Sequence, residues 1–264
     1  MMLFQYQTVA LSMHGAHVLV AELNRPEVLN AINTQMGHDL LALWTWLTVN
    51  SEEVRAVVLT GAGKGFCAGG DLKERNGMSS QDWRLQHELF ERGAMALMDC
   101  PVPVIAAVNG AAFGGGLETA LSCDFIYAST SARFALSEAR LGIMPGAGGT
   151  QNLPRAVGPR RAKELIMTAR TFSAEEAFEW GMVNELCEPD ALISAALSVA
   201  TVMADNAPMS LRQIKKAMRY GNDMDLYSGY RFEIEAYNRL VTSEDRLEGV
   251  LAFNEKRKAK FKGQ

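Results

Sequence analysis

Two glutamates and a cluster of glycines hold the chemistry open to this chain. Glu118 follows three consecutive glycines, Gly114-Gly115-Gly116, and Glu138 stands twenty residues later in Ser137-Glu138-Ala139-Arg140. An apolar run, Pro103–Val108, precedes the glycines and is stopped by Asn109-Gly110. A short apolar run bounded by turn residues reads as a buried strand. A strand that passes through a glycine turn into a helix presents free N–H groups at the helix start. Glycine also lets a ligand approach the backbone closely. The predicted helix is Leu117–Leu121, ended by Cys123-Asp124. The stretch thus offers a place for negative charge to develop, beside two carboxylates that can move protons. In an apolar cleft such carboxyls shift upward, toward the pKa range useful in general acid–base work. Each also has a plainer reading. Glu118 complements a helix dipole, worth about 0.3–1 kcal/mol, and Glu138 pairs with Arg133 or Arg140. The two glutamates together with the triple glycine are far more specific than any one of them.

Other chemistries fit poorly. Gly61-Ala62-Gly63-Lys64-Gly65 resembles a phosphate loop until Gly65, which stands where a hydroxyl residue is needed. A dinucleotide fingerprint starting at Gly114 and Gly116 requires glycine or alanine where Thr119 stands. No Gly-x-Ser-x-Gly is present. His14, His17, His38 and His87 all precede the central stretch, and His14 and His17 flank a predicted turn, so no metal site is expected. Cys67, Cys100, Cys123 and Cys187 lack CxxC spacing and read as reduced thiols. Carboxylates and backbone amides are left to do the work.

The elements that must position them follow from pattern. Residues 3–10 and 17–23 read as a hairpin around Met13-His14-Gly15-Ala16, and Asn24-Arg25-Pro26 breaks its second strand. Asn33 or Thr34 caps a helix with the stripe Leu40, Leu41, Trp44 and Leu47. Val54–Thr60 is a strand, Gly61–Gly70 a glycine-rich loop, and Asp71 the cap of a short helix over Leu72–Arg75. Residues 81–99 form a long amphipathic helix, and Phe125–Ala128 a strand. The loop Pro145–Gln151 follows Glu138. Pro159–Ala169 is a helix with proline near its start. Ser173 caps Ala174–Trp180, Gly181 ends that helix, and Met182-Val183 opens a strand. Beyond about residue 190 only helices remain, roughly 190–205, 208–220, 224–241 and 244–256. Strands alternating with helices, then helices alone, give an α/β core with a helical C-terminal extension. The spacing favours a repeated ββα or βα turn.

The chain has 264 residues, 48% hydrophobic and 21% charged, enough for one large domain or a domain with an appendage. A net charge of −4 disfavours non-specific nucleic-acid binding. No signal peptide is read at the start, and no apolar run approaches the ~20 residues of a membrane span. A soluble, cytoplasmic protein is expected. The basic tail Glu255–Lys262 is either a solvated helix end or a site for a phosphate.

These residues resemble the crotonase (enoyl-CoA hydratase/isomerase) superfamily. The resemblance is carried by Gly65–Leu72, Pro103–Glu118, Gly142–Gln151 and Asp245–Arg257, and runs over nearly the whole chain. It implies a crotonase-like spiral of repeated ββα turns over residues 1–195, and a helical trimerisation region over 196–264. It also implies acyl-CoA substrates, with CoA part of the substrate and no separate cofactor or metal. By position, the hydratase pair falls on Glu118 and Glu138, and the oxyanion-hole amides on Gly70 and Gly115. The hydratases commonly have alanine at the position of Gly70. CoA contacts fall on Ala68, Gly70, Asp71, Leu72, Lys73 and Gly115. Phe253 and Lys256 are expected to meet the nucleotide of a neighbouring subunit, in a trimer or a dimer of trimers. The expected function is hydration of a trans-2-enoyl-CoA. The alternatives are a methylglutaconyl-CoA-type hydratase, to which Asp71–Arg75 through Met78-Ser79-Ser80 and the C-terminal region are similar, a Δ3,Δ2-enoyl-CoA isomerase, or a non-catalytic CoA- or RNA-binding scaffold.

Overall fold

The computed structural model describes residues 5–50 and 52–264. Strands β1 (Val9–His14) and β2 (Val18–Leu23) form the expected hairpin, in register from Val9 opposite Leu23 to His14 opposite Val18. Residues 3–4 of the expected first strand lie outside the described residues, and the strand runs on through Met13 and His14. Asn33 caps α1 (Thr34–Val49), its side chain accepting from the Met36 N–H. Next come β3 (Ala56–Gly61) and β4 (Gly65–Cys67), the second inside the segment expected to be loop. Asp71 caps α2 (Leu72–Arg75), accepting from the Lys73 and Glu74 N–H groups. After α3 (Ser80–Asp99) the pattern repeats as β5 (Val104–Val108), β6 (Ala111–Phe113) and α4 (Gly115–Ser122). It repeats again as β7 (Phe125–Ser129) and β8 (Arg133–Ala135), then α5 (Gly149–Val157) and α6 (Pro159–Thr168).

Each turn thus places its first strand in one sheet and its second in another. The larger sheet has the order β1-β2-β3-β5-β7-β10, with β10 at Glu185–Cys187. From β2 onward it is parallel throughout. The smaller sheet runs β4-β6-β8-β9, with β9 at Phe172–Ser173. This is the repeated ββα spiral. The strand expected at Met182-Val183 begins instead at Glu185, because Met182 and Val183 turn back to bond the Ala177 carbonyl at the end of α7 (Ala174–Glu179). Ser173 starts α7 with a reciprocal capping box to Glu176.

The central parallel strands β3 and β5 are buried on both faces, as their apolar runs require. In β5, Val104, Ala106 and Val108 face the main core while Ile105 and Ala107 face the opposite side. That side is covered by α8 (Leu192–Asp205), whose Ala196, Ala200 and Ala204 form one helical stripe of small side chains. The position 195/196 lies inside α8. The chain closes with α9 (Pro208–Gly221), α10 (Leu226–Val241) and α11 (Glu244–Asn254). Within the smaller sheet, Phe134 of β8 and Phe172 of β9 lie opposite one another and stack at 5.6 Å.

Candidate active site

The strand ends of the smaller sheet and the pair α1–α3 enclose a cavity of about 550 Å³. Both glutamates, Gly70 and Gly115 line it. Glu118 sits in the first turn of α4, which follows directly from β6. Gly114 makes that junction at φ 50°, ψ −124°, a conformation open to glycine. Glu138 opens a single 3-10 turn, Glu138–Leu141, just after β8. A Cβ on Gly114 would stand 3.0 Å from Glu138 Oε1, so this carboxyl lies over the bare Cα at the head of α4.

The backbone donors are set by two different devices. The Ile32 N–H donates to the Gly69 carbonyl at 2.7 Å, and the Asp71 N–H donates to the Ile32 carbonyl at 2.9 Å. This parallel bridge uses the groups on either side of Gly70, so the Gly70 N–H faces away from Ile32. Gly115 is the first residue of α4 and has no acceptor within its helix. The two loops touch: a Cβ on Gly69 would lie 3.4 Å from the Gly115 nitrogen.

The carboxyls have opposite surroundings. Glu118 Oε1 accepts from the Ala147 N–H at 2.7 Å and the Gly149 N–H at 2.8 Å. Burial raises the Glu118 pKa, while those two amides and the charge of His87 pull it back. Glu138 Oε2 is buried with no hydrogen-bond partner among the described residues. Burial, with the Glu118 charge adding in the same direction, pushes the Glu138 pKa to about 7. Both carboxyls therefore lie above the ordinary range; Glu118 is anchored by two amide donors that temper its shift, while Glu138, without a partner at Oε2, is held ready to keep its proton.

That arrangement carries a stability cost with a defined sign. The folded pKa of Glu138 lies above the ordinary value of 4.5, so the folded state binds more protons between those limits. Stability is therefore lost as pH rises through that window. Glu138→Gln removes the buried charge. Its melting temperature relative to the parent should rise from pH 4.5 to 7 and then level off, as thermal melts in a pH series would show. A gap that stays constant with pH would mean that Glu138 is not buried in this way.

Of the expected CoA contacts, Ala68, Gly70, Leu72 and Gly115 line the cavity. Lys73 lies at a shallow depression beside it, with Asn76 and Gly77. The Asp71 carboxylate is committed elsewhere. It caps α2 and pairs with Arg25 at 2.9 Å, and Asp71 does not line the cavity. Phe253, 83% exposed on α11, and Lys256 do not line the cavity of their own chain. Sequence reasoning overlooked the Ala147 and Gly149 amides. The signal was present, since Gly148-Gly149 begins α5 and a helix start offers free donors. His87, Trp83 and Phe90, all on α3, also line the cavity.

Comparison with known proteins places this geometry. A family model described as enoyl-CoA hydratase/isomerase matches residues 14–264. The chain belongs to that family. Among relatives, it is 42% identical over 246 residues to the short-chain-enoyl-CoA hydratase of Clostridium acetobutylicum, covering 91% of this chain and 92% of the relative. It is 40% identical over 220 residues to the mitochondrial methylglutaconyl-CoA hydratase of Homo sapiens, covering 81% of this chain and 65% of that one. The crystal structure of an enoyl-CoA hydratase from Bacillus anthracis superposes with a TM-score of 0.95 at 41% identity, covering 98% of this chain and all of the other. The enoyl-CoA hydratase/isomerase fold, with its C-terminal helices, is thus shared along the chain, and the family implies an acyl-CoA substrate.

Proposed function

We propose that this chain hydrates a trans-2-enoyl-CoA to the 3-hydroxyacyl-CoA. The observation that carries the reading is that two carboxyls of unlike surroundings share one cavity with the Gly70 and Gly115 amides. The thioester oxygen accepts from both N–H groups, and the α4 dipole acts in the same sense. Glu118, charged and held at Oε1, binds water through its other oxygen and takes a proton as the water oxygen bonds to C3. The C2–C3 π pair moves toward the thioester as an enolate. Glu138 delivers its proton to C2, the thioester carbonyl re-forms, and proton exchange with solvent resets the pair. The scheme needs no metal and no cofactor beyond the CoA of the substrate. CoA thioesters as substrates fit a cytoplasmic enzyme. A methylglutaconyl-CoA-type hydratase is a narrower form of the same reading, supported by the likeness to that relative.

Incubation with a short trans-2-enoyl-CoA should abolish the enoyl-thioester absorbance as water adds. If that absorbance persists while a 3-enoyl-CoA is converted to the 2-enoyl isomer, the chain is an isomerase instead.

We also propose a trimer or dimer of trimers in which Phe253 and Lys256 complete a neighbour's CoA site. The support is the apolar surface of the last helices: Leu226 is 90% exposed, and Tyr227, Tyr237, Val250 and Leu251 are exposed with it. Such a surface on a single copy marks an interaction site. Light scattering should give three or six times the chain mass of 28.9 kDa. Deleting residues 250–264 should weaken CoA-thioester binding together with assembly. A fully active monomer would remove the shared site.

A further inference from the structure

One charge in the cavity has no task in hydration. Arg75, at the end of α2, lines the cavity beside Gly70. Its Nε donates to Gln86 Oε1 at 2.7 Å, and the Gln86 amide nitrogen donates to Glu74 Oε2 at 2.7 Å and Thr34 Oγ1 at 2.8 Å. Gln86 is itself only 4% exposed, so the guanidinium is aimed by a buried amide rather than by a surface contact. The guanidinium carbon lies 4.4 Å from the Trp83 ring centroid and 5.4 Å from that of Phe90. Those rings cover its apolar surface and favour its charge. The remaining N–H groups on Nη1 and Nη2 meet no acceptor among the described residues. The carboxylate of Glu74, whose charge acts on Arg75, is occupied by the Thr34 N–H and Gln86. Burial lowers the Arg75 pKa, yet a guanidinium starts so high that it stays charged.

Gly70 makes room for this side chain. A Cβ there would stand 3.2 Å from both the guanidinium carbon and Nη1. A side chain at position 70 would therefore crowd the guanidinium.

A part-buried, pre-aimed fork of free donors suits a planar anion. We propose that Arg75 is a specificity-determining residue that receives a carboxylate on the acyl group, so the substrates are CoA monothioesters of unsaturated dicarboxylic acids. This rests on the hydratase reading for the word unsaturated, but the carboxylate site itself does not. The competing assignment, a contact to the CoA phosphates, predicts the same loss for every thioester.

The test therefore starts with binding, independent of turnover. Calorimetry on the full chain should show glutaryl-CoA binding about 10- to 100-fold tighter than butyryl-CoA, the range of a charge-assisted hydrogen-bonded contact. In Arg75→Met that preference should fall close to one, and Arg75→Lys should recover part of it. Kinetics should follow, with kcat/KM for trans-glutaconyl-CoA over crotonyl-CoA falling by a similar factor in Arg75→Met. Equal binding of the two saturated thioesters by the parent protein would overturn the proposal. So would an equal loss for both in Arg75→Met, which would mark a CoA-phosphate contact or a structural role. If glutaryl-CoA is preferred through Arg75 but no enoyl-CoA is hydrated, the carboxylate site stands and the hydratase reading falls.

Discussion

Glu138→Gln and Glu118→Gln should each lower hydratase kcat by about 10²–10⁴-fold while leaving the protein folded. Glutamine keeps the size of the side chain and most of its hydrogen bonding but transfers no proton. The two variants should differ in detail. At position 118 the amide oxygen can still accept from the Ala147 and Gly149 N–H groups, which now meet Glu118 Oε1 at 2.7 and 2.8 Å. The α5 start should therefore stay in place and KM should change little. At position 138 the lost group is the one whose pKa is pushed to about 7. The parent's kcat/KM should fall above that pH, as the pair loses the proton destined for C2, and this limb should be missing from the residual activity of Glu138→Gln. Because the two carboxyls interact, the limb belongs to the pair. Steady-state rates across pH measure all of this. Near-parental turnover in either variant would remove that residue from the mechanism.

The second large effect concerns an N–H rather than a side chain. Gly115→Pro should reduce kcat by about 10²–10³-fold, the loss seen when one oxyanion donor is removed. Proline is well placed for this experiment, because Gly115 is the first residue of α4 and proline suits that position. Its Cβ would meet only Ile32 Cδ1, at an ordinary 3.7 Å. Gly115→Ala adds the same Cβ but keeps the N–H, and should lose far less activity. Circular dichroism and a melt separate loss of the donor from loss of the turn. A folded Gly115→Pro protein that turns over as fast as Gly115→Ala would sink the assignment of this amide.

Much of the scaffold could be read locally. Asn33, Asp71 and Ser173 each proved to cap the helix expected after them, because a cap depends on residues within one turn. The buried strand before the triple glycine was legible because both of its faces are covered. Elements that depend on partners far away were missed. Strands β4, β6 and β8 have three residues each, and their partners in the smaller sheet come from successive turns of the spiral. Helix α5 was hidden by Gly149 at its start and Pro154 inside it, both poor helix formers. For the site, the residue types were visible but their company was not. Nothing in the sequence pattern shows that Glu118 would meet the amides of Ala147 and Gly149. Nor could a four-residue helix show that Arg75 turns inward onto Trp83.

The spiral distributes its tasks unevenly along the chain. Gly115, Glu118 and Glu138 hang from the ends of β6 and β8, strands locked by their neighbours in the smaller sheet. The opposite wall comes largely from one continuous span, residues 72–97, with Leu72, Arg75, Trp83, His87, Phe90 and Leu97 facing inward. No strand lies in that span. Its side chains can be exchanged without disturbing a single sheet register, so recognition is modular with respect to the reaction centre. A lineage can wander among acyl groups by editing one segment while the proton-handling apparatus is inherited intact.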